Sequence, residues 1–463
     1  MTEHNTSPVL SPDAMRALAQ QIFELTTAKT ESIDIEHIAL GTAHVARGAV
    51  QITESGDYLR VGIGLRFGQR TSMSIDIDQI DTESLRQAVR YLERVAMEQT
   101  GDPVEIPLTI PPRTYFPNTT WHSSTVSAFN EERHAAVETL VAPVRAAGLT
   151  TSAFVGVTLR SVLHANKQGI MAVGQETDSE VAVTAWNPNG KGNGWAGQAA
   201  RDWTTHDLTA VSDRAIHLTK LAANPVGFEP GRRTVILDRS AVAEFLCDMG
   251  WAFGAKLATR GGSPLYDPIA GRARLGQRIF DPRVTLSSHP NDPEGGVIPF
   301  NDYGYPVIPM RWVAPGGVLE HIAYDTNYAV QHGASPASDP PQSLRLEAIP
   351  GTPTATVEEM IANCKEGVYV NRLSQVDSVP SSILGMRTGV TNGGCFLIRN
   401  GKIQKSIVNL RFVESPWLMF NRILAIGTTQ RTARGYGGWP SPPTIAPPLM
   451  IQDFNFTALA AAV

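Results

Sequence analysis

The chain has 463 residues, of which 42% are hydrophobic and 18% charged, so it is globular and long enough for two domains. Lys and Arg total 39 against 44 Asp and Glu, which gives a formal net charge of −5. A surface that binds nucleic acid normally shows a basic excess or a basic stripe. We therefore expect no nucleic-acid partner.

Targeting signals and cysteine usage indicate the compartment. Residues 1–21 lack the basic start and apolar core of a secretion signal, and no stretch approaches 18 uninterrupted apolar residues. The three cysteines, Cys247, Cys364 and Cys395, are widely spaced and odd in number, so they cannot form a disulfide framework. We expect a cytoplasmic protein with no membrane contact.

The N-terminal half alternates amphipathic helices with strands of period two. Residues 11–25, 81–98 and 126–147 have helical spacing, while 48–78 alternates apolar and polar residues as antiparallel strands do, and further strands are predicted at 152–159, 161–165 and 180–185. Five prolines make residues 101–117 an extended strap. Residues 186–195 contain a Gly-Lys pair, but Gly192 follows the lysine where a phosphate loop needs Ser or Thr. This segment is predicted to be a hairpin loop, and 199–221 a further helix.

A break in composition and periodicity over residues 224–231 predicts a domain boundary. We predict an N-terminal domain of residues 1–225 and a C-terminal domain of residues 226–463. Beyond the boundary strands predominate, and helices are predicted only for the stretch containing 244–256 and for 356–363 and 416–426. The fold class is α+β: N-terminal helices packed on an antiparallel or mixed sheet, followed by a β-rich domain.

Several phrases, in this order and spacing, resemble the TldD/PmbA family, the two-subunit TldD/TldE metallopeptidases once described as modulators of DNA gyrase. In the C-terminal half the phrases are EPGRRTVIL (229–237), PFNDYGYP (299–306), TVEEMI (356–361), KEGVYV (365–370) and FLIRNGKI (396–403). In the N-terminal half the match is looser and rests on VGIGLR (61–66), the helix that opens at Asp81 and HANKQG (164–169). The resemblance covers nearly the whole chain.

The resemblance locates a metal helix and shows that its ligands are missing. The metal-bearing subunit of the family carries His-Glu-x-x-x-His on the helix after the strand equivalent to 234–237, and a later cysteine completes its zinc site. Aligned without gaps from Leu237, the first histidine falls on Cys247, the glutamate on Asp248 and the second histidine on Ala252. The resemblance therefore implies a TldE/PmbA-type subunit without metal of its own, and zinc in a separate TldD-like chain.

Cys247 also permits a different interpretation, as a nucleophile or a single metal ligand. A cysteine nucleophile requires a base, normally a histidine, within hydrogen-bond reach. His289, His321 and His332 are distant in the sequence, and nothing in the sequence brings them together. An ordinary core cysteine explains Cys247 more simply.

The segment TTQRTARGYGGW, residues 428–439, occupies the region where the catalytic subunit of the family closes its metal site. It offers Arg431, Arg434, Tyr436 and Trp439 in place of a cysteine. Arginines pair with carboxylates through two hydrogen bonds and aromatic rings stack on side chains, so these four residues are candidates for binding a peptide substrate. A glycine-rich loop with two solvated arginines is the open alternative.

Two classes of function follow. In the first, the chain is a TldE-like subunit that pairs with a TldD-like zinc metallopeptidase and helps to cleave small, unfolded or modified peptides. In the second, it is a stand-alone or homodimeric enzyme with metal-independent chemistry. A companion gene that encodes His-Glu-x-x-x-His would favour the first.

Overall fold

The structure is a computed structural model that describes residues 7–46, 49–67, 70–71, 75–98, 113–325, 328–329, 332, 339–380, 383–434 and 443–460.

The strands before residue 201 form one antiparallel sheet. They are β1 (Lys29–Ala46), β2 (Ala49–Phe67), β3 (Arg70–Thr71), β4 (Ile75–Ile77), β5 (Thr150–Ala165), β6 (Met171–Trp186) and β7 (Asn193–Ala200). Their order is β3-β2-β1-β5-β6-β7, and β4 also pairs with β2. The long strands β1, β2, β5 and β6 lie next to one another, so the sheet has two broad faces.

Helices cover one of these faces. They are α1 (Pro12–Leu25), α2 (Thr82–Glu98), α3 (Ser123–Ser127), a π-helical turn (Ala128–Glu132), α4 (Arg133–Ala146), a 3-10 turn (Trp203–Thr205) and α5 (Leu208–Leu221). The Ser11 side chain accepts a hydrogen bond from the Ala14 N–H and so caps α1. Apolar residues of α1, such as Met15 and Ile22, are buried against Ile33 and Val61 of the sheet. Because side chains alternate along a strand, Glu36, Arg60 and Arg160 project from the opposite face.

The strands after residue 230 form two further large sheets and a small hairpin. They are β8 (Gly231–Leu237), β9 (Tyr266–Asp267), β10 (Arg272–Ala273), β11 (Val284–Ser288), β12 (Met310–Ala314), β13 (Val318–Leu319), β14 (Leu344–Ala348), β15 (Glu366–Ser378), β16 (Arg387–Arg399), β17 (Lys402–Ser406), β18 (Leu410–Glu414), β19 (Ile423–Ile426), β20 (Gln430–Arg431), β21 (Thr444–Ala446) and β22 (Leu449–Leu459). The helical segments among them are α6 (Arg239–Leu246), a 3-10 turn (Gly250–Phe253), α7 (Ala255–Arg260), α8 (Val357–Ala362) and α9 (Pro416–Met419).

Five strands of the larger C-terminal sheet close into a ring. The order is β15-β8-β22-β18-β16-β17, and an additional pairing of β15 with β16 completes the closure. The second sheet has the order β13-β12-β11-β14-β21-β20. The main C-terminal core is rich in aromatic side chains, with Phe245 of α6 against Phe412 and Phe454 at ring-centroid distances of 5.4 and 6.2 Å. Helix α6, which follows β8, is therefore held by the ring.

The α+β class is confirmed, while three local predictions are wrong. Residues 199–200 belong to β7, and the predicted helix begins only at Leu208, where the Asp207 side chain accepts from the Ala210 N–H. The predicted helix at 416–426 ends at Met419, and residues 423–426 form a strand. The predicted helix through 244–256 is interrupted. The proposed boundary at residue 225 stays a prediction, although the sheet of β1–β7 and the sheets of β8–β22 share no strand.

Within the described residues there is no helix whose length and apolar character would let it cross a membrane. The cytoplasmic location stays a prediction.

Candidate functional site

The segment that aligns with the metal helix of the family follows β8 directly. Asp238 caps α6 by accepting a hydrogen bond from the Arg239 N–H at 2.7 Å, and α6 packs across the ring strands. The helix ends at Leu246, and Cys247 is its C-cap. A 3-10 turn then begins at Gly250, where a Cβ would lie 2.7 Å from the Pro341 carbonyl oxygen, so that position is packed too closely for a side chain.

The three aligned positions consequently do not share one helical face. Asp248 has a side chain that is 57% exposed and pairs with Arg387, whose Nη1 lies 3.1 Å from the Asp248 Oδ2. Ala252 is fully buried in the 3-10 turn. The Cys247 Sγ lies 3.5 Å from the Glu244 carbonyl oxygen, and burial raises the pKa of the Cys247 thiol to about 12.

These residues do not fit a zinc ion. Zinc takes thiolate sulfur, imidazole nitrogen or carboxylate oxygen, usually from four ligands in a tetrahedron. Burial disfavours the Cys247 thiolate that zinc would need, alanine offers no ligand atom, and the Asp248 carboxylate is turned to Arg387. No group of three His, Cys, Asp or Glu side chains that could hold a metal ion occurs in the described part of the chain.

A buried carboxylate lies one turn before Cys247. The Glu244 side chain is 2% exposed, and the Arg434 Nε lies 3.4 Å from its Oε1. Burial raises the pKa of the Glu244 carboxyl to about 7, although the positive charges of Arg434 and Arg372 oppose this shift. Glu244 was not among the site residues predicted from the sequence, although it lies three residues before Cys247 in an apolar stretch whose other carboxylate is Asp248.

The structure separates the four candidates for substrate binding. Arg434 lies at Glu244, whereas Arg431 lies beneath the N-terminal sheet, with its Nη2 2.6 Å from the Asp178 Oδ2. The Arg431 side chain is 6% exposed, so the solvated alternative is wrong for it, while its role in substrate binding stays a prediction. Tyr436 and Trp439 lie outside the described residues.

Arg431 ends a run of ion pairs across the charged face of the N-terminal sheet. Each carboxylate in the run lies between two arginines, at N–O distances of 3.6 Å (Arg60–Glu36), 2.8 Å (Arg160–Glu36), 2.9 Å (Arg160–Glu176), 3.1 Å (Arg201–Glu176), 3.4 Å (Arg201–Asp178) and 2.6 Å (Arg431–Asp178). The run lies beside a cavity of about 780 Å³ between this face and the loops that carry Val297, Asp302 and Gln342. The two halves of the chain thus meet through paired charges around a cavity of ligand size.

The reactivity of Cys247 gives a direct check on its environment. At pH 8, alkylation by iodoacetamide is expected to be on the order of 10³-fold slower than for an unperturbed cysteine, because a thiol with a pKa near 12 holds very little thiolate. Peptide mapping by mass spectrometry gives the rate for Cys247 apart from those for Cys364 and Cys395. The same protein in guanidinium is the control and should label fast at all three. Fast labelling of Cys247 in the folded protein contradicts the protonated, structural thiol.

Fold and site together define a metallopeptidase-like α+β protein in which the segment aligned with a metal helix carries a buried glutamate and a protonated thiol. Residues 230–458 match the family model described as the PmbA/TldA metallopeptidase C-terminal domain, so this part of the chain belongs to the TldD/PmbA family. A curated relative from Archaeoglobus fulgidus, named "Metalloprotease", is 22% identical over 220 residues, which cover 43% of this chain. The match spans 47% of that relative, about half of its length.

Three solved structures share the fold over almost the entire chain. TldE from Thermococcus kodakarensis is 16% identical with a TM-score of 0.78, covering 96% of this chain and 99% of its own. A putative modulator of a DNA gyrase from Thermotoga maritima is 15% identical with a TM-score of 0.77, covering 96% and 100%. A similarly described protein from Bacteroides thetaiotaomicron is 14% identical with a TM-score of 0.77, covering 97% and 100%.

Proposed function

We propose that this chain is a TldE-like subunit that binds no metal itself and pairs with a TldD-like zinc metallopeptidase. The complex cleaves small, unfolded or modified peptides, and the zinc belongs to the partner. The observation that carries this proposal is the make-up of the aligned segment: a Cys247 thiol whose pKa is raised by burial, an Asp248 held by Arg387 and a buried Ala252.

The surroundings of that segment support a structural rather than a hydrolytic role. A metallopeptidase keeps one coordination position open to water and a carboxylate beside it to take a proton. Here the carboxylate within the helix, Glu244, is buried and faces the guanidinium of Arg434. The guanidinium groups of Arg434 and Arg387 lie at Glu244 and Asp248, so a metal cation bound here would be repelled by two positive charges.

Arg434 is the arginine that best fits contact with a peptide. Its side chain is 21% exposed, against 6% for that of Arg431. A guanidinium can bind the terminal carboxylate of a peptide through two hydrogen bonds. We assign substrate contact to Arg434 in preference to Arg431.

The test is native mass spectrometry with metal analysis, on the chain alone and on the chain co-expressed with a TldD-like protein. We expect a one-to-one complex that holds about one zinc ion and cleaves peptides, and a lone chain without zinc or activity. Cys247→Ala in the complex should keep the zinc content and the cleavage rate within about twofold, because Cys247 is not a ligand.

A zinc-containing homodimer with peptidase activity would overturn the proposal and favour the stand-alone enzyme. Loss of zinc from the complex on Cys247→Ala would do the same, since it would make Cys247 a ligand.

A further inference from the structure

A second pocket, of about 340 Å³, lies beside the segment that aligns with the metal helix. Its walls are the residues from Asp248 to Trp251, the loop between β15 and β16, and the start of α9. Ligand pockets in proteins span roughly 300–1,000 Å³. This pocket is at the small end of that range, so it suits a single side chain rather than an extended ligand.

Hydrogen bonds fix the three walls relative to one another. Arg387, the first residue of β16, donates to the Ser378 Oγ at 2.7 Å and to the Asp248 Oδ2 at 3.1 Å, which joins the first wall to the loop. The Ser415 Oγ donates to the Leu384 carbonyl oxygen at 2.7 Å, which joins the loop to α9. The pocket is therefore formed before a ligand binds, and this lowers the entropic cost of binding.

The lining is apolar and has no net charge. Asp248 and Arg387 are its two charged residues, and they pair with each other. Most of the other lining residues are apolar, and they include two indole rings and two thioethers: Met249, Trp251, Met386 and Trp417. Indole rings and methionine sulfur both pack favourably on an aromatic ring. The pocket therefore favours an uncharged aromatic group over an ionised one.

Trp417 adds a hydrogen-bond donor to this apolar lining. It is 8% exposed, and its ring packs on Phe253 and Phe280 at ring-centroid distances of 5.8 and 5.7 Å. The indole N–H has no hydrogen-bond partner in the described part of the chain. A Cβ at Gly385 would lie 2.9 Å from the Trp417 Nε1, so a larger residue there would crowd this N–H. A buried donor without an acceptor is costly, and a carbonyl group of a ligand would satisfy it.

Two apolar side chains of the lining are exposed to solvent. Trp251 is 42% exposed and Ile383 is 71% exposed. Exposed apolar side chains that occur singly are ordinary, whereas two at one apolar pocket mark a place where a ligand can displace water.

We propose that this pocket binds the aromatic side chain of a peptide residue, and that the carbonyl oxygen of that residue accepts a hydrogen bond from the Trp417 indole N–H. The inference rests on the proposed function, because the peptide is the substrate of the peptidase complex. This chain consequently gives the complex a preference for peptides that contain an aromatic residue.

The probe is N-acetyl-4-fluoro-L-phenylalanine amide, a single blocked residue, and the readout is the broadening of its fluorine NMR signal by the purified chain. Trp251→Ala removes part of one wall and should weaken binding roughly fivefold or more. Ile269→Ala is the matched control, because Ile269 is a more exposed apolar side chain outside the pocket. It should change the dissociation constant by less than about twofold.

Trp417→Phe tests the hydrogen bond, because phenylalanine keeps a ring in the core and has no N–H. We expect this variant to bind the blocked residue about fivefold more weakly, the usual effect of losing one neutral hydrogen bond. Its binding of 4-fluorotoluene, which has the ring but no carbonyl group, should stay unchanged. Equal weakening for both probes would show a damaged pocket instead of a lost hydrogen bond and would overturn that part of the inference.

Competition identifies the ligand. N-acetyl-L-phenylalanine amide should displace the probe, whereas N-acetyl-L-alanine amide, which lacks the ring, should not. Free L-phenylalanine should compete more weakly, because its ionised termini enter a neutral lining. Three outcomes overturn the inference: an unbroadened probe signal, equal binding by W251A and the unaltered chain, or competition by the free amino acid or the alanine amide that matches the phenylalanine amide. The zinc content of the complex is measured separately, so this inference can fail while the proposed function stands.

Discussion

Arg431→Ala is expected to lower the free energy of unfolding by about 3–5 kcal/mol, the usual cost of removing one partner from a buried ion pair. The Arg431 side chain is 6% exposed, and that of its partner Asp178 is 19% exposed. Removing the guanidinium leaves the largely buried Asp178 carboxylate with the 3.4 Å contact to Arg201 as its remaining ion pair among the described residues. Most of the lost stability comes from burying the unpaired Asp178 carboxylate, and less from losing its attraction to Arg431.

Arg431 belongs to the C-terminal half and Asp178 to the N-terminal sheet, so the variant also removes a contact between the two halves of the chain. Besides Asp178, its Nη1 donates to the Glu294 carbonyl oxygen at 3.0 Å, and its N–H donates to the Glu294 carboxylate at 3.0 Å. Glu294 is held in turn by Arg345 at 2.8 Å. The variant should therefore separate the unfolding of the N-terminal sheet from that of the C-terminal sheets, visible as two transitions in place of one.

Urea denaturation followed by circular dichroism measures this effect, with Arg311→Ala as the matched control. Arg311 also makes two hydrogen bonds to a carboxylate, that of Glu320, but its side chain is 53% exposed, and such surface pairs contribute about 1 kcal/mol or less. The double variant R431A/D178N should recover part of the loss, because the stranded charge is gone. Equal destabilisation by R431A and R311A would show that the run of ion pairs does not hold the halves together.

Local periodicity and capping residues were sufficient to predict the amphipathic helices, which bury one of their own faces. The helix at 11–25 and the one at 356–363 carry their capping residues in the sequence, and both form where expected, the second with the reciprocal Thr356–Glu359 capping box. The resemblance to the TldD/PmbA family was likewise visible in short phrases, and the family match over 230–458 confirms it.

The errors arise where tertiary contacts override local pattern. Residues 199–200 follow a helix-like pattern, yet they continue β7 because its pairing with β6 extends to Ala200. The stretch 244–256 is apolar enough for one helix, yet α6 ends at Leu246 and a 3-10 turn packed against the Pro341 carbonyl oxygen begins at Gly250. Ser179, which pairs with Ala200, lies 21 positions before it, and Pro341 lies 91 positions after Gly250, so a short window of sequence contains neither contact.

The candidate site shows the same limit. Asp178 and Arg431 are 253 positions apart, and Glu244 and Arg434 are 190 apart. Sequence spacing ranked Arg431 and Arg434 equally, as two arginines of one loop. Only the fold shows that one is enclosed beneath the sheet and the other faces the buried glutamate.

The free energy of unfolding of the unaltered chain is expected to fall as pH rises because of Glu244, and Glu244→Gln is expected to abolish that part of the pH dependence. The pKa of the Glu244 carboxyl is raised from 4.5 to about 7 in the folded protein, chiefly by burial, against the charges of Arg434 and Arg372. Asp248 adds repulsion in the same direction as burial. The folded protein therefore keeps this proton over a pH range in which the unfolded chain releases it.

The sign of the effect follows from that difference. Between pH 4.5 and 7 the unfolded chain binds fewer protons at this carboxyl than the folded protein, so stability falls as pH rises. The stabilising contribution of the protonated Glu244 side chain is fully present below pH 4.5, the pKa of this group in the unfolded chain. It is lost above pH 7 or so, the pKa of about 7 that the group has in the folded protein. A difference of 2.5 in pKa corresponds to about 3 kcal/mol. Glutamine has no such proton, so the variant lacks this dependence.

Urea denaturation of the unaltered chain and of E244Q at pH 4.5, 5.5, 6.5 and 7.5 measures the difference. The free energy of unfolding of E244Q minus that of the unaltered chain should increase by about 3 kcal/mol across the series. Glu366→Gln, at a side chain that is 65% exposed, is the control and should give a difference that varies by less than about 0.5 kcal/mol. If the E244Q difference is also constant, the pKa of Glu244 in the folded protein equals that in the unfolded chain, and Glu244 is ionised at neutral pH. Arg434 then neutralises it in full, and the segment aligned with the metal helix is held by an ion pair rather than by a neutral acid.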